Sequence, residues 1–186
     1  VYDNLGLEPI WRDHAILLVS DGGAPFAFAP DSGSWLGRVQ RDMAVMSTQS
    51  TAVRKRWLMA NFLSGQMTGA YWGIASAAAH YAPGAPGYSA ALAAEVIAGI
   101  RTDLDAFSPA EQAVLQNHGY SLADAALRRH WPSQLPAPPP PFAFPFPEWL
   151  DEARVRRALA QSWRRTFFGR SRAATPPSQA RAAAAG

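Results

Sequence analysis

Residues 1–23, VYDNLGLEPIWRDHAILLVSDGG, decide how the rest of the chain is read. The opening Val1 to Gly6 is polar, and Asp, Asn and Gly favour turns over regular ladders, so it reads as a loop. A short helical turn is expected over Leu7 to Arg12. Ala15-Ile16-Leu17-Leu18-Val19 then runs apolar without alternation. That is the pattern of a strand buried on both faces of a parallel sheet. Ser20-Asp21-Gly22-Gly23 ends it. Ligands gather at the C-terminal ends of strands in open α/β sheets, which makes this polar ending a candidate site.

Working outward, Ala24 to Ser34 carries Pro25, Pro30 and Gly33 and reads as a loop. A long helix follows, in which Leu36, Val39, Met43, Met46, Ser50, Val53, Trp57 and Ala60 recur at spacings of three and four. They form one stripe, expected to pack into the core, with an acyl-chain channel as the sharper alternative. Gly65 is placed to cap this helix. Arg54, Lys55 and Arg56 sit near its end, where cations suit the helix dipole. A solvated helix end is preferred there over a phosphate or headgroup site. Gly69 to Ile74 predicts a second strand, joined to the first by a right-handed crossover. His80 to Ser89, with two Pro and two Gly, is a loop, and Ala90 to Ile100 a short helix. Ser108-Pro109-Ala110-Glu111 has the capping-box pattern with Pro at the first helical position. The helix it starts runs through Ala113, Val114, Leu115, His118 and Leu122 to about Arg129.

Eight prolines lie between Trp131 and Pro147, four of them consecutive at Pro138 to Pro141. This composition favours polyproline II and is read as a spacer that ends the compact domain. A ligand for an adaptor domain is the alternative. Glu148 to Phe168 is expected to be an amphipathic helix: Trp149, Leu150, Val155, Leu159, Trp163 and Phe167 supply apolar residues between arginines. The domain scheme is therefore an α/β body over 1–131, a Pro-rich linker over 132–147, a basic helix over 148–168 and a disordered Ala/Ser/Pro/Arg-rich tail over 169–186.

A length of 186 residues, 48% of them hydrophobic, with seven Trp, allows a sizeable core. No apolar run approaches the roughly 20 residues that span a bilayer. Without Cys there is neither a disulfide nor a thiolate-metal framework, which fits a reducing compartment. The net charge of +3 is unevenly spread. Residues 1–150 hold nine Lys/Arg against twelve Asp/Glu, and residues 151–186 hold eight Arg against two acids. The basicity belongs to the C-terminal part and says little about the body.

VYDNLGLEP, followed closely by ILLVSDGGAPF, resembles the C-terminal half of bacterial patatin-like phospholipases. FSPAEQAVLQNHGYSLADAALRR, residues 107–129, resembles the helix after the second strand in the same group. The resemblance covers roughly Val1 to Arg129. It implies an α/β fold and a serine acyl hydrolase with a Ser-Asp dyad, acting on phospholipids or related acyl esters without a metal or organic cofactor. In that family the dyad Asp lies in an Asp-Gly-Gly or Asp-Gly-Ala motif running directly into Val-Tyr-Asp-Asn, so it is expected upstream of Val1. The Gly-x-Ser-x-Gly nucleophile and the glycine-rich oxyanion loop are expected further upstream. Neither motif occurs here: Gly33-Ser34-Trp35-Leu36-Gly37 and Gly87-Tyr88-Ser89-Ala90-Ala91 both lack the nucleophile spacing. The chain thus reads as a fragment, inactive alone.

Asp21-Gly22-Gly23 matches the dyad motif in its letters but falls one strand later in the family's order. Asp21 is the catalytic candidate inside this chain, with turn-shaping or hydrogen bonding at the site rim the preferred role for Asp21 and Gly22. Asp3 and Asn4 would brace the upstream loop, since short polar side chains bond readily to nearby backbone. His14, His80, His118 and His130 are scattered without ligand spacing, so no metal site is expected. Trp149, Arg156, Arg157, Trp163, Arg164 and Arg165 are candidates for contact with an anionic membrane surface. Nucleic-acid binding, which also uses clustered Arg, is the lesser alternative. The runner-up function is a non-catalytic membrane- or partner-binding module built on 148–168. The expected location is cytoplasmic or peripheral to a membrane.

Overall fold

The structure, a computed structural model, describes residues 5–23, 35–100, 106–160 and 162. Among these the elements run β1 (Ile16–Asp21), α1 (Trp35–Leu63), β2 (Thr68–Gly73), α2 (Ala90–Glu95), α3 (Pro109–His130) and α4 (Glu152–Leu159). Short 3-10 turns form at Ala78–His80, Ile97–Gly99, Pro132–Gln134 and Pro147–Trp149. β1 and β2 pair in parallel with α1 as the connection between them, giving a helix-rich α/β arrangement. The chain divides into two units: residues 1–20 with 26–71, and residues 21–25 with 72–186.

The first unit is organised by β1. Leu17 and Val19 are buried with Leu7 and Leu58, and Trp11, Met59, Phe62, Met67 and Tyr71 pack around them. Ile16 and Leu18 point the other way and are 40% and 48% exposed. The expectation of a strand buried on both faces is corrected: side chains alternate about a strand, and one face of β1 is covered. β2 reaches β1 at Gly69, whose φ is +154°. A Cβ there would lie 1.8 Å from the Leu17 carbonyl oxygen, so a side chain at this position excludes the pairing. Before the strand, the amides of Ile10 and Trp11 both donate to the Leu7 carbonyl, forming the expected helical turn.

α1 closes at Gly65 with φ +71°, the left-handed cap that glycine adopts without strain. Its inward residues are Leu58, Met59 and Phe62, with the Lys55 ammonium 6.0 Å from the Tyr71 ring centre. The stripe expected to be core faces outward instead. Val39, Met46, Val53 and Trp57 are exposed, as is Trp35. The side chains of Leu36 and Met43 lie outside the described set. α1 is apolar on two sides, and periodicity alone does not say which side meets the sheet.

The second unit is built on α3. The capping box forms: Ser108 Oγ accepts from the Glu111 amide and Glu111 Oε2 accepts from the Ser108 amide at 2.6 Å. Tyr88, Leu92, Ile97, Ile100 and Val114 form a core with Val155 and Leu159 of α4. Asn117 is fully buried. Its Nδ2 donates to the Phe146 carbonyl at 2.8 Å and to Tyr88 Oη at 3.2 Å, while its Oδ1 accepts from the Phe146 amide at 2.9 Å. Tyr88 Oη donates onward to the Trp149 carbonyl at 2.8 Å. Arg128 donates to the Pro140 carbonyl, and the Phe142 ring stacks against Tyr120.

The Pro-rich segment is therefore laid against α3 rather than spaced away from it, and the compact unit continues through α4. Within the helix expected over 148–168, α4 accounts for Glu152–Leu159, preceded by the 3-10 turn. Apart from Ser162, whose hydroxyl donates to Glu111 Oε1, residues beyond 160 lie outside the described set, as does the whole 169–186 tail.

Asn117→Ala removes three hydrogen bonds and leaves the Phe146 peptide groups without their partner. Each buried polar group so stranded costs about 1–3 kcal/mol. Urea unfolding is expected to show a loss of at least about 2 kcal/mol. A change within error contradicts the clamp.

Candidate functional site

β1 ends in a tied turn. Asp21 is buried, and its Oδ1 accepts from the Gly23 amide at 2.9 Å, an Asx turn at the end of the strand. The Asp21 carbonyl accepts from the Ile74 amide, which continues the pairing one residue past β2. A Cβ on Gly23 would press on Asp21 Oδ1 at 2.9 Å, whereas Gly22 has open space around it. Asp21 and Gly22 are thus placed as a shaped strand ending. Asp3 and Asn4 lie outside the described residues.

The first unit holds a cleft of about 630 Å³, a size ordinary for small-molecule sites. One wall is the turn before β1: Leu7, Glu8, Trp11 and Arg12, spaced so that all four share one side. The other is a face of α1, with Gln49, Ser50, Val53, Arg54 and Trp57. The Trp11 and Trp57 rings meet edge to face at 5.4 Å and 80°. The Arg12 guanidinium lies 4.7 Å from the Trp11 ring centre. Arg54 reaches Glu8 at 3.5 Å. The cleft therefore joins an aromatic floor to two guanidinium groups and one carboxylate. Sequence reading saw the helical turn and the α1 stripe separately. What it missed is that they face each other.

The Arg54-Lys55-Arg56 trio does not form one site. Consecutive helical residues point about 100° apart, and these three diverge accordingly. Arg54 turns to Glu8, Lys55 to the Tyr71 ring, and Arg56 donates back to the Ala52 carbonyl.

Of the three C-terminal candidates among the described residues, Trp149 and Arg156 are engaged within the second unit. The Trp149 ring carries the Arg154 guanidinium at 4.3 Å. Arg156 pairs with Glu95 at 3.0 Å, and Arg157 is exposed. Glu152 accepts from both the amide and the hydroxyl of Ser89, the N-cap of α2. Asp151 caps α4, and the amides of Arg154 and then Ala153 hold its carboxyl below the ordinary range. The apolar side of α4, Val155 and Leu159, is spent in the core. Trp163, Arg164 and Arg165 lie outside the described residues. Among the described residues no helix is long and apolar enough to cross a membrane, and no three His, Asp or Glu side chains gather as a metal site.

A buried histidine sits on the inward side of α3. His118 Nε2 is 2.8 Å from the Ile74 carbonyl, which can only accept, so Nε2 carries the hydrogen. Nδ1 is then a bare lone pair, buried and without a hydrogen-bond partner among the described residues. Burial lowers the His118 pKa, with the Ile74 bond opposing weakly. His14, His80 and His130 sit at separate places: His14 near the Ile10 carbonyl, His80 on the Ala77 amide, His130 beside the Tyr81 ring.

No protein-family model matches the chain, and no curated protein or solved structure matches it either.

Because the folded state disfavours charged His118, its contribution is complete above the unfolded pKa of about 6.5 and is lost as pH falls below it. Urea unfolding at pH 8, 6.5 and 5 is expected to show a steeper acid loss in the parent chain than in His118→Gln, which keeps a donor for Ile74 but does not titrate. Equal slopes contradict this assignment.

Proposed function

We propose that this chain is the C-terminal part of a patatin-like serine acyl hydrolase that cleaves phospholipids or related acyl esters. The observation that carries the reading is the agreement of two separated stretches, Val1 to Gly23 and Phe107 to Arg129, in the order the family resemblance requires. The local structure is compatible with it. A parallel pair joined by a helix ends in the Asp21 turn, and the apolar outward side of β1 at Ile16 and Leu18 is suited to further layers of a larger sheet.

In this reading a serine upstream of Val1 is deprotonated by a dyad carboxylate, also upstream. Its oxygen attacks the ester carbonyl, backbone amides of a glycine-rich loop hold the oxyanion, and the alcohol leaves with the proton. Water then releases the acid from the acyl-serine. No metal or organic cofactor takes part. Asp3 and Asn4 brace the loop that carries the dyad acid, while Asp21 and Gly22 shape the neighbouring strand ending at the rim. Peripheral membrane contact through 148–168 is a weaker part of the proposal, because Val155, Leu159 and Arg156 are already engaged inside the second unit.

The test is hydrolysis of a short-chain p-nitrophenyl ester by the 186-residue chain and by its full reading frame, side by side. Activity is expected in the longer protein alone. Activity in the short chain that Asp21→Asn abolishes would move the catalytic centre to β1. Silence in both would favour the non-catalytic binding module.

A further inference from the structure

We infer that residues 131–150 form an acid-released strap: protonation of His118 lifts the segment from α3 while the core beneath stays folded. Asn117 and His118 are neighbours on α3, and both are buried. Tyr88 joins them. Its hydroxyl takes the Asn117 amide at 3.2 Å and donates to the Trp149 carbonyl at 2.8 Å, and its ring centre lies 6.1 Å from that of His118. Phe146, bonded to Asn117, and Trp149, bonded to Tyr88, are thus each one residue removed from the imidazole. A proton arriving at Nδ1 meets no acceptor among the described residues, and Nε2 is committed to the Ile74 carbonyl. An imidazolium in that place must reach water, because an uncompensated buried charge costs several kcal/mol or more.

The strap is the part of the cover that yields. No residue of 131–150 is buried, and Pro136 to Pro141 are all exposed. It is held by polar contacts and half-buried rings: Asn117 on Phe146, Arg128 on the Pro140 carbonyl, and Tyr120 on Phe142. In the core below, Leu92, Ile97, Val114 and Val155 are fully buried. Segments with few buried apolar contacts open at less than the global cost. The charged groups around α3 do not supply what the imidazolium lacks. In the Ala78–His80 turn, His80 is exposed with Nδ1 on the Ala77 amide, and Tyr81 beside it is neutral, its pKa raised by burial. Tyr88 is neutral for the same reason. The Pro147–Trp149 turn brings Glu148, exposed, and the Pro132–Gln134 turn has no ionisable side chain. On α4, Asp151 and Glu152 hold backbone and Ser89, Arg154 lies on Trp149, Arg156 pairs with Glu95, and Arg157 is exposed. Asp21 bonds the Gly23 amide. On α3 itself Glu111 accepts from the Ser108 amide and the Ser162 hydroxyl, and Asp124 pairs with Arg128. None of these carboxylates bonds Nδ1. The inference goes beyond the hydrolase reading and does not need it.

With the strap open, His118 meets water and titrates near its ordinary pKa of about 6.5. The closed form disfavours the charge, so opening rises about tenfold for each pH unit below that value until the closed form itself takes the proton. Hydrogen exchange of the 186-residue chain at pH 7.5 and pH 5, corrected for the intrinsic pH dependence of exchange, reads strap and core separately. Amides of 142–150 are expected to lose at least about tenfold in protection at pH 5, and those of 110–116 less than about twofold. His118→Gln keeps a donor for the Ile74 carbonyl without titrating, and its strap is expected to show no acid loss. His80→Gln, at an exposed position, is expected to retain the loss in full, which keeps the assignment testable should His118→Gln fail to fold. An unchanged strap at pH 5 overturns the proposal, as does an equal loss over 110–116. So does a strap loss that persists in His118→Gln or vanishes in His80→Gln. Exchange is read without ester hydrolysis, so failure of the hydrolase reading is a separate result.

Discussion

The buried amide of Asn117 is the constraint on which the second unit depends. Its two ends pair with both backbone groups of Phe146, as a neighbouring strand would, and its remaining donor meets Tyr88 Oη. A proline-rich chain cannot satisfy itself through a ladder, because each proline lacks the amide hydrogen. Anchoring it at the one non-proline peptide between Pro145 and Pro147 fixes the whole segment at little cost in backbone entropy, since proline has already restricted it. The Tyr88 hydroxyl then passes the constraint to the Trp149 carbonyl, which positions the entry to α4. From there Asp151, Glu152 and Arg156 fasten α4 at its cap and to α2.

What was legible in the sequence was local. The capping box at Ser108 and Glu111, the glycine cap at Gly65 and the extent of α1 are decided by residues a few positions apart, and they form as read. Which side of an element faces inward was less legible. Ile16 to Val19 is uniformly apolar, so its letters do not distinguish a strand covered on both faces from one covered on one. α1 has apolar residues around Leu58 and again around Val53, about 140° apart at 100° per residue, and either could have met the sheet. The Asn117 to Phe146 pairing was invisible for a different reason. It joins residues 29 positions apart, and the composition of 132–147 reports a backbone preference without naming the surface that receives it.

The same distinction applies to function. The hydrolase reading is proposed from letters alone, through two stretches whose order agrees with the resemblance. Geometry adds something the letters did not contain: a mixed aromatic and cationic cleft assembled from a helical turn and a helix some 40 residues apart. The strand ending at Asp21 is held as a turn by its own side chain, which suits a supporting part better than a proton acceptor whose oxygens must stay available.

The central claim is that the nucleophile is not among the serines of these 186 residues. Fluorophosphonate labelling of the protein from the full reading frame, with the adduct located by mass spectrometry, tests it most directly. One modified serine preceding Val1 is the predicted result. An adduct on a serine within residues 1–186, or a full-length protein that takes no label, would contradict it.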